Sequence, residues 1–276
     1  MADCNNCPSK GECSSQDSCN IKNNPYNEVK RVIGVMSGKG GVGKSTVSAL
    51  LAIELKEMGY KVGVMDADIT GPSIPRLLGV KDKNVTQSEL GIHPVESDSG
   101  ISVMSLNLLV DDEKTHVIWR GPLISGTVKQ FWEDVFWGDL DYLIVDLPPG
   151  TGDVALTVMQ SMPISGMLVV SVPQDMVSMI VAKAVNMVEQ MNIKNIGVVQ
   201  NMSYIECPDC GKQIKMFDAD SSVYEELGVA LLGELPMTVD IANVTKGNGG
   251  VEDDQVKQTL KSVAEQVIEA VKKEEK

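Results

Sequence analysis

Ten residues constrain this chain more than any others: Ser37-Gly38-Lys39-Gly40-Gly41-Val42-Gly43-Lys44-Ser45-Thr46. They follow the apolar run Val32–Met36 and open a segment whose apolar residues recur at helical spacing. A G-x-x-x-x-G-K-[ST] pattern between strand and helix makes a phosphate cradle. Glycines let successive backbone N–H groups converge on one concavity, and the helix aims the positive end of its dipole there. On that reading Gly38, Lys39, Gly40, Gly41, Val42, Gly43 and Thr46 surround a nucleotide. Lys44 reaches the β- and γ-phosphates, and the Ser45 hydroxyl ligates Mg²⁺.

The rest of the chain repeats the alternation that this loop requires. Apolar runs at Val32–Met36, Lys61–Met65, Ile101–Leu106, Tyr142–Leu147, Met167–Val172 and Ile196–Gln200 read as strands, and most are continuous, as in a sheet covered on both faces. Helical spacing follows at Lys44–Met58, Asp153–Ser161, Asp175–Met191 and Gln255–Lys272. The expectation is an α/β fold, a doubly wound and mainly parallel sheet with ligands at its C-terminal strand ends. Met176, Met179, Met187 and Met191 read as one buried helix face. Val256, Leu260, Val263, Val267, Ile268 and Val271 give the last helix a face for packing on the sheet.

Two carboxylate sites complete the predicted nucleotide pocket. Lys61–Met65 runs into Asp66-Ala67-Asp68-Ile69-Thr70-Gly71-Pro72-Ser73-Ile74-Pro75, and Tyr142–Val145 ends at Asp146, before Leu147-Pro148-Pro149-Gly150-Thr151-Gly152-Asp153. Carboxylates at strand ends opposite a phosphate loop suit Mg²⁺ and an attacking water. The stiff Pro-Pro pair beside a glycine suits a switch that orders with nucleotide. No N-K-x-D guanine motif occurs, which favours ATP over GTP.

The six cysteines fall into Cys4, Cys7, Cys13, Cys19 and the pair Cys207, Cys210. Grouped cysteines in a chain of cytosolic type point to metal or redox chemistry. Cys207-Pro208-Asp209-Cys210-Gly211 is a thiolate turn holding half of a tetrahedral shell; the readings are a shared cluster, half of a zinc ribbon, or a thiol redox pair. Residues 1–27 are polar, lack periodicity and need a metal to fold around, with Asn23–Pro25 as a linker; residues 28–276 form the ATPase domain. For the first four cysteines an iron–sulfur cluster, zinc and an unmetallated tail stay open. His93 and His116 read as surface residues.

A net charge of −14 and a pI near 4.6 disfavour nucleic acid as a partner. The N-terminus has no basic stretch before an apolar run, and internal apolar runs are strand-sized, so a cytoplasmic chain without membrane partners is expected.

Lys39 carries the first resemblance. K-G-G-V-G-K-S-T resembles the deviant Walker A loop of the nitrogenase-iron-protein, septum-site-determining and chromosome-partitioning ATPases. That likeness implies a homodimer in which Lys39 crosses to the partner's nucleotide. D-A-D-x-x-G-P-S-I-P, D-L-P-P-G-T-G-D and Arg120-Gly121-Pro122 look like the Mrp/Nbp35 (ApbC-like) family of iron–sulfur cluster carrier ATPases. The resemblance covers residues 30 to about 245, with motifs in family order. It implies that Asp68 orients the hydrolytic water, Asp66 and Asp146 serve Mg²⁺, and Asn201 reads the purine beside a wall at Pro236. Arg120 is left as a phosphate, interface or structural residue. It further implies that Cys207 and Cys210 bind a [4Fe–4S] cluster bridging two chains for delivery to apo iron–sulfur proteins, with slow ATP hydrolysis. Cys4, Cys7 and Cys13 match the last three cysteines of that family's amino-terminal motif, while Cys19 lies downstream where the family places its other cysteine far upstream. A positioning ATPase of the MinD/ParA kind and a zinc-structured metal-handling ATPase are the alternatives.

Overall fold

The computed structural model describes residues 23–68, 71, 73–109, 121–173, 177–207, 209–215, 222–244 and 251–272. Its centre is an eight-stranded sheet. Strands β1 (Glu28–Ser37), β2 (Val62–Asp66), β6 (Ser102–Ser105), β7 (Asp139–Asp146), β8 (Gly166–Ser171), β9 (Asn195–Gln200) and β12 (Leu231–Glu234) run parallel. The short β5 (Val95–Glu96) closes one edge antiparallel to β6. Small hairpins join β3 (Thr86–Ser88) to β4 (Gly91–His93) and β10 (Ile205–Glu206) to β11 (Gln213–Ile214). The helices are α1 (Lys44–Glu57), α2 (Ile74–Leu77), α3 (Gly121–Glu133), α4 (Asp153–Ser161), α5 (Val177–Gln190), α6 (Ser222–Glu226), α7 (Val239–Val244) and α8 (Asp254–Val271).

The order β12-β9-β8-β1-β7-β2-β6-β5 puts β1 where the winding reverses. A cleft opens at such a point, and the glycine loop leaves β1 directly into it. The core explains the continuous apolar strands. Ile33 and Val35 in β1, Leu143 to Val145 in β7 and Leu168 to Val170 in β8 are all buried, each worth about 1.5–3 kcal/mol for a large aliphatic side chain. Helix α1 is packed against the sheet and α8, so its buried residues spread around it instead of forming one stripe. Helix α8 buries Val256, Leu260, Val263, Val267 and Val271, as its spacing predicts, and the Asp253 carboxylate caps it by accepting from the amides of Gln255 and Val256.

Two expectations need correction. Met187 is buried but Met179, in the first turn of α5, is 54% exposed, so the two do not share one buried face; Met176 lies outside the described residues. Asn23–Pro25 is docked and is no free linker. Asn24 is buried and donates to the carbonyls of Leu90 and Val135, Trp132 Nε1 donates to Asn23 Oδ1, and Asn27 bonds Val135 and Gly138. These amides satisfy backbone groups at the far end of the sheet, which turns a polar stretch into an anchor. His93 is half-buried, bonded to Ser88 and edge-on to Phe136. Cys4, Cys7, Cys13, Cys19, His116 and Arg120 lie outside the described residues.

Candidate nucleotide site and cysteine hairpin

The loop adopts the conformation that its glycines permit. Gly41 and Gly43 both sit at φ 79°, in the left-handed region that side chains disfavour, and α1 begins at Lys44 without a side-chain cap. Its first amides are therefore free of any capping oxygen and point to the cleft, the arrangement that binds anions. The cleft has a volume of about 450 Å³ and is lined by Ser37, Gly40 through Thr46, Asp68, Gly71, Ser73, Arg76, Leu77 and Pro149. Gly38 and Lys39 do not line it. Gly38 is pressed on α5, where a Cβ would stand 1.9 Å from Ile180 Cγ2.

Asp146 organises the floor. It is fully buried at the end of β7 and accepts three contacts: Lys44 Nζ at 2.8 Å, Ser45 Oγ at 2.6 Å and Ser48 Oγ at 2.7 Å. A buried carboxylate needs such pairing, since desolvating a lone charge costs several kcal/mol. The loop lysine and the Mg²⁺-ligand serine are thus gathered on one carboxylate. Ser48 escaped the sequence reading; one turn after Lys44 on the buried face of α1, it is the signal that could have been followed.

The other two carboxylates diverge. Asp68 lines the cleft. Asp66 lies behind it, its Oδ2 accepting the amides of Ser73 and Ile74 and the Ser105 hydroxyl, its Oδ1 the amide of Asp68. It anchors the start of α2, and so places Ser73 and Arg76 on the cleft wall; Arg76 is a second residue that pattern reading missed. Burial, then the charges of Asp146 and Asp68, push the Asp66 pKa up to about 8, with Lys44 and the Ile74 amide pulling the other way.

Asn201 and Pro236 are both buried and do not line this cleft. Asn201 instead donates from Nδ2 to the Val42 carbonyl at 2.9 Å, tying the end of β9 to the phosphate loop. Leu235, beside Pro236, is held by its amide to the Gln200 carbonyl.

Six residues beyond Asn201, the cysteines sit on the β10–β11 hairpin. Its turn is closed by Cys207 N–H to the Lys212 carbonyl and Gly211 N–H to the Cys207 carbonyl, with Gly211 at φ 67°. Cys207 is half-buried and Cys210 exposed. The amides of Asp209 and Cys210, then the Cys210 thiol, hold the Cys207 thiol below the usual range, which favours the thiolate that binds metals. Among the described residues no group of three or more His, Cys, Asp and Glu side chains is arranged to hold a metal ion, and no helix is long and apolar enough to cross a membrane.

Comparison with known proteins agrees with this geometry. Residues 28–272 match the family described as ParA, NUBPL iron-transfer P-loop NTPase. An iron–sulfur cluster carrier protein of Clostridium perfringens is 48% identical over 91% of this chain and 90% of its own length. One from Methanocaldococcus jannaschii is 42% identical over 97% and 96%. Among solved structures, a nucleotide-binding protein of Archaeoglobus fulgidus in complex with ADP, with cobalt found in it, superposes with a TM-score of 0.71 at 40% identity, covering 83% of this chain and 88% of that one. A chain of the Aquifex aeolicus MinC–MinD cell division protein complex has a TM-score of 0.63 at 21% identity, covering 87% and 96%, a likeness of fold alone.

Proposed function

The chain belongs to the NUBPL iron-transfer P-loop NTPase family, and on that premise we propose that it is an ATP-binding carrier that assembles [4Fe–4S] clusters and delivers them to apo-proteins. One observation carries the reading: phosphate loop and thiolate hairpin are rooted at the same end of the sheet. The loop leaves β1 and the hairpin follows β9, with only β8 between them. A positioning ATPase has a use for the first and none for the second.

The donor count then points to a homodimer. One hairpin offers two thiolates and a [4Fe–4S] cluster takes four, so a second chain related by a two-fold axis supplies the other pair. The cluster is cargo, and a two-thiolate hold with Cys210 exposed suits cargo that must leave; zinc is the rival occupant. Lys39 fits the same dimer. It does not line its own cleft, and its charge serves the partner's triphosphate as an arginine finger does elsewhere.

Within one chain Lys44 and the loop amides bind the phosphates, and Asp68 on the cleft wall orients the attacking water. Mg²⁺, when bound by Ser45 and through water by Asp146, supplies neutralisation of the phosphate charge. Asp66 stays behind that shell and holds α2 in place. The Asn201 carbonyl oxygen faces the adenine amine, with Pro236 beside it. Hydrolysis is slow and serves transfer, in the cytoplasm, with neither membrane nor nucleic acid as partner. Cys4, Cys7, Cys13 and Cys19, outside the described residues, are assigned a second metal site, with iron–sulfur cluster and zinc as its rival occupants.

Anaerobic reconstitution with iron and sulfide tests the reading. The double variant Cys207→Ala/Cys210→Ala keeps its ATP affinity and loses the bridging cluster's absorbance; a variant that retains the full wild-type absorbance overturns cluster carriage at this pair.

A further inference from the structure

The two sites share a physical joint at Asn201. Asn201 is 3% exposed, and its Nδ2 donates to the Val42 carbonyl in the middle of the phosphate loop. The fit is close: a Cβ on Gly43 would stand 2.2 Å from that nitrogen, so the loop glycine is also the socket for the amide. On its other side the Asn201 backbone amide is fixed to the Ser171 carbonyl at the end of β8 at 2.8 Å.

The turn after Asn201 is held in tension. Met202 has φ 55°, one of two non-glycine residues in the left-handed region among those described. A methionine stays there only where its surroundings insist on it. The insistence comes from Asn201 before it and Ser203 after it, whose amide donates to the Leu235 carbonyl and whose hydroxyl donates to the Gln200 carbonyl. Tyr204, its carbonyl taken by the Met237 amide, then leads straight into β10 and Cys207. The far strand of the hairpin is held differently. Lys215 pairs with Glu234 at 3.7 Å, and Glu234 meets Gln200, which accepts from Tyr224. The near root of the hairpin is therefore bonded to the phosphate loop, through the Asn201 side chain, as well as to the sheet, while the far strand is tied to the sheet through Glu234.

We propose that Asn201 is a positioning residue that transmits the conformation of the phosphate loop, through the strained Met202 turn, to the Cys207–Cys210 hairpin. Nucleotide sets the Gly41-Val42-Gly43 backbone, the Val42 carbonyl carries Asn201 with it, and the Met202 turn tightens or relaxes the near root of the hairpin while the Glu234 root stays put. The inference rests on the carrier reading for its purpose, since a carrier needs its hold on cargo to depend on nucleotide. Its geometry stands without any metal.

The test is amide hydrogen exchange on the full chain, under reducing conditions with chelator present, with and without saturating Mg-ADP. Saturation is set separately for each variant by direct titration. In the wild type, nucleotide changes exchange across residues 201–214 by about fivefold or more, the low end of typical inter-site coupling. At its own saturating Mg-ADP, Asn201→Ala, which also removes the proposed adenine contact, abolishes that change while the bound nucleotide still protects residues 40–46. Met202→Gly keeps the Asn201–Val42 bond and releases the strain, so it too loses most of the response and serves if the first variant fails to fold. A wild type whose hairpin ignores nucleotide, or either variant with an undiminished hairpin response, overturns the proposal. Because no iron is read, its failure is distinct from failure of cluster carriage, which the reconstitution decides.

Discussion

The two functional regions at this end of the sheet are built in opposite ways. The phosphate loop is sunk between β1, β7 and α1, with its lysine, its serine and Ser48 all converging on one buried carboxylate. The cysteine hairpin is a pair of two-residue strands whose turn is closed by two backbone bonds, with Cys210 exposed. The first region is over-determined and binds a ligand in one geometry. The second has little packing to lose and can open and close around a cargo at small cost. On the proposed function, nucleotide binding and release of the cluster thus fall to regions of opposite build.

That contrast is sharpened most strongly at Lys39. Replacing it with Ala should lower hydrolysis by about 10³, the value of a charge supplied in trans, in a steady-state assay at saturating ATP, with ATP affinity nearly unchanged. An intact rate would mean that the nucleotide end is self-sufficient in one chain. Lys44→Ala comes next, with ATP affinity falling about 100-fold by calorimetry. The same change leaves Asp146 buried without its cation, at a cost of about 3–5 kcal/mol to the nucleotide-free protein in thermal unfolding.

Asp66 makes the nucleotide end sensitive to pH. Its pKa in the folded chain, about 8, lies above the ordinary 3.8, so the folded state holds the extra proton between these values. Stability of the nucleotide-free, Mg²⁺-free protein therefore falls as pH rises across that window. Asp66→Asn flattens the fall in a series of unfolding curves. A slope unchanged by Asp66→Asn would place the proton elsewhere.

Two smaller effects probe the joint and the hairpin. Tyr224→Phe removes the hydroxyl bonded to Gln200 and should cost about 1 kcal/mol, a drop of about 2–4 °C in melting temperature. Cys207→Ala/Cys210→Ala should move stability by no more than about 0.5 kcal/mol in the absence of metal, as substitutions on a short hairpin outside the core do. A large loss there would make the hairpin structural.

The same contrast decides what could be read from sequence. Glycine spacing and unbroken apolar runs are local signals, so the phosphate loop, β1, β2, β6, β7, β8 and β9 and helices α1, α4, α5 and α8 were legible, as was the thiolate turn, while α3 and β12 were not. The bonds that join them were not. Asn201 meets Val42 across 159 residues, and Ser48 meets Asp146 across 98, so no window of sequence contains both partners. The place of Asp66 after a strand suits a magnesium carboxylate; that its oxygens also hold the start of α2 depends on how the chain turns after it. Strands β3, β4, β5, β10 and β11 have two or three residues each, too few for any period to show. Asn24 looked like linker because its partners, Leu90 and Val135, are distant carbonyls that any sequence offers.

Native mass spectrometry of the anaerobically reconstituted protein puts the central claim to the most direct test. The account predicts two chains joined by four iron and four sulfide beyond whatever the Cys207→Ala/Cys210→Ala variant retains, about two irons per chain for a shared [4Fe–4S] cluster. A single chain that carries the whole iron load, or a double variant that carries as much as the wild type, would contradict it.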